Sequence, residues 1–307
     1  MTMATDFAAS ERGASGSAGT IVPGVSPQLY SRADFDRIAK LVHDEAGIVL
    51  SDRKAMLAYS RIAPLVRESA ATRFGEFLDR LAQDSALKTR VISALTTNHT
   101  YFNREPHHYD HFATHVRPGL VARASAGEPI RLWSAGCSSG EEIWTLMMFL
   151  LGTNPSEGVR LSKSNIIALA SDLAGHAVTA AQAGIYPTDA LKAVPEALRK
   201  AWCDHTKEGG QDMLSIGQAA RSLVRFRQLN LLRSWPFRQS FDVIFCRNVM
   251  IYFDEPTKEK LVLRLAEQLR PGGTLYIGHS ERVFGPATAL IEPDGPTVYR
   301  RKAGGRA

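Results

Sequence analysis

The sequence predicts a doubly wound α/β sheet, preceded by an all-helical domain and carrying a small β subdomain inserted between its later strands. Three observations lead there. From Ile130 the chain alternates short apolar runs with helical patterns, the texture of βαβ units. Ile130 to Glu142 is an apolar strand, a turn of small residues and an acidic pair, running straight into the apolar segment Ile143 to Leu151. Before it, from Ser31 to Leu95, apolar residues recur at helical spacing with no strand-like alternation.

Taken in order, residues 1–27 are rich in Ala, Ser, Gly and Thr, bury too little apolar surface to order themselves, and are expected to be a flexible tail. Residues 28–112 form the helical domain. Ser31 and Asp34 make a capping box ahead of Phe35, Ile38, Ala39 and Val42, with Gly47 near the stop. Met56, Tyr59 and Ile62 form a stripe that should break near Pro64; Phe74, Phe77, Leu78 and Leu81 form another, and Val91, Ile92 and Leu95 a third. Residues 113–302 hold the sheet, with 303–307 a short tail. Its further strands are read at Ile166 to Ala170, Leu223 to Gln228, Phe241 to Cys246, Thr274 to Gly278 and Thr297 to Arg301, and its helices at Leu173 to Ala183 and Thr257 to Gln268. The connection 187–222 is long for an α/β unit and is read as an insertion of a helix and a small β excursion.

Composition narrows the function classes. The length of 307 residues is enough for about two domains. Cys137, Cys203 and Cys246 lack any CxxC or Cys/His ligand spacing, which points to reduced thiols and no metal. Ile143 to Leu151 is too short to cross a bilayer and the N-terminus lacks the apolar core of a signal peptide, so the expected location is cytoplasmic, without membrane insertion. The net charge of +6 is scattered among acids instead of forming a stripe with stacking aromatics, which speaks against nucleic acid. His107, His111 and His115 fall at i, i+4 and i+8 beside His108; without a placed carboxylate they are read as a helix face, and no metal site is assigned.

The chemistry should sit at the carboxyl edge of the sheet. Gly136, Ser138, Ser139 and Gly140 let a ligand approach the backbone, while Glu141 and Glu142 stand where a pyrophosphate would rest, so a cationic or hydroxyl-rich ligand is favoured over a phosphate-rich one. Asp172 ends the second strand, where such sheets present an acid to ribose hydroxyls, and Asn230 ends the third. A lone strand-end Asp is more often a helix cap; the convergence of these residues on successive strand ends favours a binding site.

The motifs Trp133-Ser134-Ala135-Gly136-Cys137-Ser138-Ser139-Gly140-Glu141-Glu142, Ala170-Ser171-Asp172-Leu173, Asn230-Leu231-Leu232 and Phe245-Cys246-Arg247-Asn248-Val249-Met250-Ile251-Tyr252-Phe253 stand in this order. Together with Asn98-His99-Thr100-Tyr101-Phe102-Asn103-Arg104-Glu105 and Gly278-His279-Ser280-Glu281, they resemble the chemotaxis receptor glutamate methyltransferases, the CheR family, over Phe35 to Arg301. The resemblance implies a Rossmann-like S-adenosylmethionine-dependent methyltransferase sheet with an all-helical N-terminal domain and a small inserted β subdomain. It implies that Gly136 and Glu142 border the cofactor, Asp172 holds the ribose, Asn230 and Leu231 face the adenine, Arg247 and Asn248 close the site, and Asn98, Thr100 and Arg104 cover it. S-adenosylhomocysteine would be the product. Two positions depart from the family pattern: Asn103 replaces an aromatic before Arg104, and Gly136 stands where a second Ala is common.

A receptor glutamate, ionised at neutral pH, can attack a sulfonium methyl without a general base, leaving alignment and exclusion of water to the protein. Arg104 and Tyr252 are the residues expected to orient that acceptor. The implied partner is the cytoplasmic helical region of methyl-accepting chemoreceptors, with a receptor C-terminal tail as a further candidate for the insertion, and the expected state is a monomer. The competing readings are a sensor or docking module that binds S-adenosylmethionine without transferring it, a nucleic-acid methyltransferase, disfavoured because Asn248 leads into Val249-Met250 and not into Pro-Pro-aromatic, and a dinucleotide oxidoreductase, disfavoured because Gly136 and Gly140 do not make GxGxxG.

Overall fold

The structure, a computed structural model, describes residues 21–96 and 98–304. The expected tail therefore lies outside the described residues up to position 20; beyond it Val22 and Tyr30 are already fully buried in the helical core, so order begins earlier than composition suggested. Four helices build that core: α1 (Arg32–Ala46), α2 (Ala55–Glu68), α3 (Phe74–Leu81) and α4 (Ser85–Leu95). The Ser31/Asp34 capping box forms, and α1 ends at Gly47 in the left-handed conformation with φ 67°. The break expected at Pro64 does not occur. Pro64 lies on the exposed side of α2, where losing one ladder hydrogen bond is tolerated, while Ala58, Ile62, Ala63 and Val66 hold the opposite face in the core. Met56, expected inside, is exposed.

A continuous helical segment follows, made of α5 (Pro106–His111), a π-helical turn at Phe112–Val116 and α6 (Arg117–Ser125). Tyr109 and Phe112 on it pack into the core of the sheet and not into that of the four helices, so the division expected after residue 112 falls within one helical segment.

The sheet runs β1 (Ile130–Ala135), α7 (Glu141–Leu151), α8 (Pro155–Leu161), β2 (Ile166–Asp172), α9 (Gly175–Ala183), then an insertion, then α11 (Gln218–Leu223), β6 (Val224–Gln228), β7 (Phe241–Cys246), α12 (Glu255–Gln268), β8 (Leu269–Ile277), α13 (Ala287–Leu290), β9 (Ile291–Gly295) and β10 (Val298–Arg301). The inserted elements are β3 (Ile185–Pro187), α10 (Glu196–Trp202), β4 (Cys203–Glu208) and β5 (Gln211–Ile216). Strand order in the large sheet is β6-β2-β1-β7-β8-β10-β9, parallel except for β10, which lies antiparallel to β8 and β9. The chain leaves β1 for β2 on one side and returns to β7 on the other, so the crevice of a doubly wound sheet opens between β1 and β7. β7 is buried at all six positions, as suits a parallel strand covered on both faces. The insertion is a separate antiparallel sheet, β3-β5-β4, beginning slightly earlier than expected because the apolar Ile185 and Tyr186 already pair with β5.

Candidate functional site

A cleft of about 1080 Å³ opens at the carboxyl ends of β2, β1 and β7 and is roofed by the helical domain. The eleven residues expected to hold the cofactor and the acceptor all line it, Asn98, Thr100, Arg104, Gly136, Glu142, Asp172, Asn230, Leu231, Arg247, Asn248 and Tyr252, whereas Ser139 and Gly140 of the ligand-approach turn do not.

The turn after β1 forms the floor. Gly136 has φ +92°, and a Cβ there would stand 2.4 Å from Val249 Cγ2, so a side chain here would strain the backbone and push Val249 aside. The amides of Gly136 and Cys137 both donate to the Ser171 carbonyl, at 2.8 and 2.9 Å, tying the turn to β2. Ser138 donates through its amide to Asp172 Oδ2 at 2.9 Å and through its hydroxyl to the Asn98 carbonyl at 3.0 Å. Asp172 Oδ1 accepts from the Ala174 amide at 2.8 Å and lies 3.4 Å from Asn98 Nδ2. Backbone donors thus fix the carboxylate's orientation at the strand end, as capping alone would, but here it also faces the cleft.

Of the acidic pair, only Glu142 enters the cleft; Glu141 turns aside and accepts from Ser139 Oγ at 2.8 Å. Glu142 is buried, its Oε1 accepting from Ser134 Oγ at 2.7 Å and its Oε2 lying 3.4 Å from Arg247 Nη1. Burial pushes the Glu142 carboxyl pKa up, and the Arg247 charge and the Ser134 hydroxyl oppose that rise. Arg247, at the end of β7, is also almost fully enclosed. It lies 3.4 Å from Glu105 Oε2, donates to Tyr109 Oη at 3.2 Å and to the Arg104 carbonyl, and keeps its Nε without a protein partner.

Glu105 is a residue that sequence reasoning passed over. It sits at φ 56° before Pro106; its Oε1 accepts from His279 Nδ1 at 2.9 Å and its amide at 3.3 Å, and lies 3.4 Å from Asn248 Nδ2. Burial works to raise its pKa but is outweighed by the His279 hydrogen bonds and the Arg247 charge, which together bring it down to about 2.

The roof was the less legible part. Past Gly47 the chain runs across the sheet edge, so that Ala46, Ile48, Leu50, Lys54 and Leu57 line the cleft. Val49 donates its amide to the Tyr252 carbonyl at 2.9 Å, and Asn230 Nδ2 donates to the Glu45 carbonyl at 2.6 Å. Asn230 Oδ1 meanwhile accepts from the Leu232 amide, so its side chain joins the roof to the wall as well as lining the cleft. The signal available was the apolar run Ile48-Val49-Leu50 directly after a left-handed cap, which redirects the chain.

At the mouth, Arg104 donates to the His99 carbonyl at 3.0 Å and lies over the Tyr101 ring at 5.6 Å. Tyr252 carries the Lys54 ammonium 5.7 Å above its ring; burial raises its phenol pKa, opposed first by the Arg104 charge. The histidines on this helical segment, His108 beside the spaced set included, do not all converge on one point. His108 Nε2 meets Thr297 Oγ1 at 2.8 Å and burial holds its pKa down at about 3, His111 Nδ1 meets Tyr276 Oη at 2.9 Å, and the His115 ring packs on His111. Glu105, His107 and His108 do lie close together, but Glu105 and His108 both feel the Arg247 cation, which opposes a second positive charge among them.

This donor set suits a cationic nucleoside. The buried Glu142 matches an ammonium, Asp172 matches a diol, the glycine floor admits a flat or extended group, and the basic residues lining the cleft are engaged separately, Arg247 by Glu105 and Glu142, Arg104 by the His99 carbonyl and Lys54 over the Tyr252 ring.

Known proteins are similar in sequence to this chain over most of its length. Residues 98–296 match the family model described as CheR methyltransferase, SAM binding domain, and residues 33–96 the one described as CheR methyltransferase, all-alpha domain. A probable chemotaxis protein methyltransferase of Rhizobium etli is 39% identical over 262 residues, covering 85% of this chain and 96% of that protein. Chemotaxis protein methyltransferase 2 of Pseudomonas aeruginosa is 35% identical, covering 88% and 93%, and the chemotaxis protein methyltransferase of Escherichia coli K12 is 37% identical, covering 88% and 91%. Among the described residues no helix is long and apolar enough to cross a membrane.

Proposed function

The chain belongs to the CheR methyltransferase family, and is thus an S-adenosylmethionine-dependent methyltransferase of chemotaxis; from that premise we propose that it methylates glutamate side chains of chemoreceptors, using the residues assembled in this cleft. The observation that carries the site assignment is the convergence of all eleven sequence-selected residues on one cleft at the sheet's switch point.

In this reading Asp172 holds the ribose hydroxyls, Glu142 the ammonium of the amino-acid end, Gly136 the close backbone approach, and Leu231 the adenine face, while Asn98 and Thr100 cover the ligand from the linker. Bound S-adenosylmethionine supplies an electrophilic methyl on a sulfonium. The acceptor carboxylate needs no base, since an ordinary glutamate is ionised near neutrality. The protein's work is alignment and exclusion of water. Arg104, stacked on Tyr101, and Tyr252, whose phenol stays protonated, orient the acceptor at the mouth; a hydroxyl can donate one hydrogen bond without quenching the attacking oxygen as a tight ion pair would. The cytoplasmic helical region of the receptor is the proposed partner. Its C-terminal tail would have the outer edge strand β4 of the inserted sheet within reach of strand addition.

Incubation with tritiated S-adenosylmethionine and receptor membranes is expected to give base-labile label on receptor glutamates. Arg104→Ala and Tyr252→Phe should each lower kcat by about tenfold or more, with smaller changes in S-adenosylhomocysteine affinity. Tight binding of the nucleoside with no transferred label would favour the docking-module reading, and unchanged kcat in both variants would remove the two residues from the mechanism.

A further inference from the structure

Gly278-His279-Ser280-Glu281, the last motif of the sequence, lines no part of the cleft, yet it grips the segment that does. Glu281 is 5% exposed. Its Oε1 accepts from the Met250 amide at 2.7 Å, and its Oε2 from the Asn248 amide at 3.0 Å and the Gly278 amide at 2.6 Å. All three donors are backbone groups. Two belong to the turn after β7 that carries Arg247, Asn248, Val249 and Tyr252 into the cleft, and the third ends β8 beside it.

The turn needs such an anion. Asn248 has φ 57°, and a left-handed residue followed by right-handed ones points successive amides into one concavity, a site that otherwise binds an anion or water. Burial pushes the Glu281 carboxyl pKa up, while the amides of Gly278, Asn248, Met250 and Val249 hold it down, as expected of a carboxylate seated in a cup of donors. Gly278 has no room for a side chain there: a Cβ would stand 2.7 Å from the Asn248 amide nitrogen and 2.9 Å from Glu281 Oε2. The side chains of the same turn meet a different carboxylate, Glu105, near Asn248 Nδ2 and Arg247 Nη2. Backbone and side chains therefore have separate anchors.

We infer that Glu281 is a positioning residue for methyl transfer: its carboxylate is the internal anion around which the Arg247–Tyr252 turn is wound, and it thereby sets where Asn248, Val249 and Tyr252 stand against the acceptor. This rests on the proposed role of Tyr252 at the mouth. Glu281 does not line the cleft, and its hydrogen bonds reach it through the backbone of the turn.

Glu281→Gln tests the inference, because the amide replaces one acceptor oxygen by an NH₂ that faces N–H donors. In the full-length enzyme, backbone amide exchange at Asn248 and Met250 should accelerate at least tenfold while the core strand β1 stays protected. At saturating S-adenosylmethionine, kcat with receptor should fall about 10- to 100-fold, S-adenosylhomocysteine affinity should fall by a clearly smaller factor because Asp172 and Glu142 are untouched and only the Asn248 side of the site shifts, and Glu281→Asp, which keeps the charge on a shorter arm, should lie between. If Glu281→Gln does not fold, Gly278→Ala presses on the same contact from β8 and should show the same split. Unchanged amide exchange, unchanged kcat despite faster exchange, or a parallel loss of nucleoside affinity, kcat and β1 protection would each overturn the inference. Full turnover by Tyr252→Phe alongside a slow Glu281→Gln enzyme would remove the role of Tyr252 and leave that of Glu281 standing.

Discussion

Replacing Arg247 by Leu should expose how strongly the cleft depends on one buried cation. The guanidinium is 1% exposed and lies 3.4 Å from each of two carboxylates, Glu105 and Glu142. At that separation and an effective dielectric of about 20, each attraction is gross ~5 kcal/mol, most of which offsets the cost of taking three charges out of water. Removing the cation alone leaves that cost in place without its compensation, so the loss at pH 7 should be about 3–5 kcal/mol, read from urea denaturation with an unchanged m-value. The pH dependence supplies the sharper test. The Glu142 pKa is already raised by burial against the pull of Arg247, and without Arg247 it rises further. A carboxyl whose folded pKa exceeds its unfolded one destabilises the fold above the folded value, and the penalty disappears as protonation completes at lower pH. The deficit should therefore shrink between pH 7 and pH 4, and Glu142→Gln in the Arg247→Leu background should recover part of it. A loss below about 1 kcal/mol at pH 7, or a deficit that grows on acidification, would refute this account of the cluster.

Two further outcomes follow from the same geometry. Gly136→Ala should weaken S-adenosylhomocysteine binding by at least tenfold in calorimetry, because the residue has φ +92° and its Cβ would collide with Val249; wild-type affinity would show that the floor can shift freely. Glu105, held at about 2 against an ordinary 4.5, stabilises the folded state above the ordinary value and loses that contribution as pH falls toward 2. The stability difference between wild type and Glu105→Gln should accordingly be full at pH 6 and fall to about half by pH 3 in denaturant titrations, and a pH-independent difference would place the contribution elsewhere.

The order of strands and helices was readable from the residues because it rests on local facts. β7 announced itself as five apolar residues in six, α1 as a capping box with an apolar stripe, and the crevice as a glycine turn between strand and helix. The small corrections also had local causes, such as Pro64, whose ring points to solvent and leaves α2 unbroken. Of the eleven cleft residues, Gly136, Glu142, Asp172 and Asn230 were legible because sheet topology carries the ends of β1, β2, β6 and β7 to one edge, so that positions just after strands become neighbours; the other seven were indicated by the family resemblance. What the sequence could not decide was which groups close on that edge from far along the chain. The roof of Ala46, Ile48 and Leu50, the pairing of Arg247 with Glu105 across 142 positions, and the grip of Glu281 on the turn at Asn248 all depend on long-range packing. A charge or a backbone amide has no preferred partner until the fold removes water from around it, and only the tertiary structure determines which carboxylate is there when that happens.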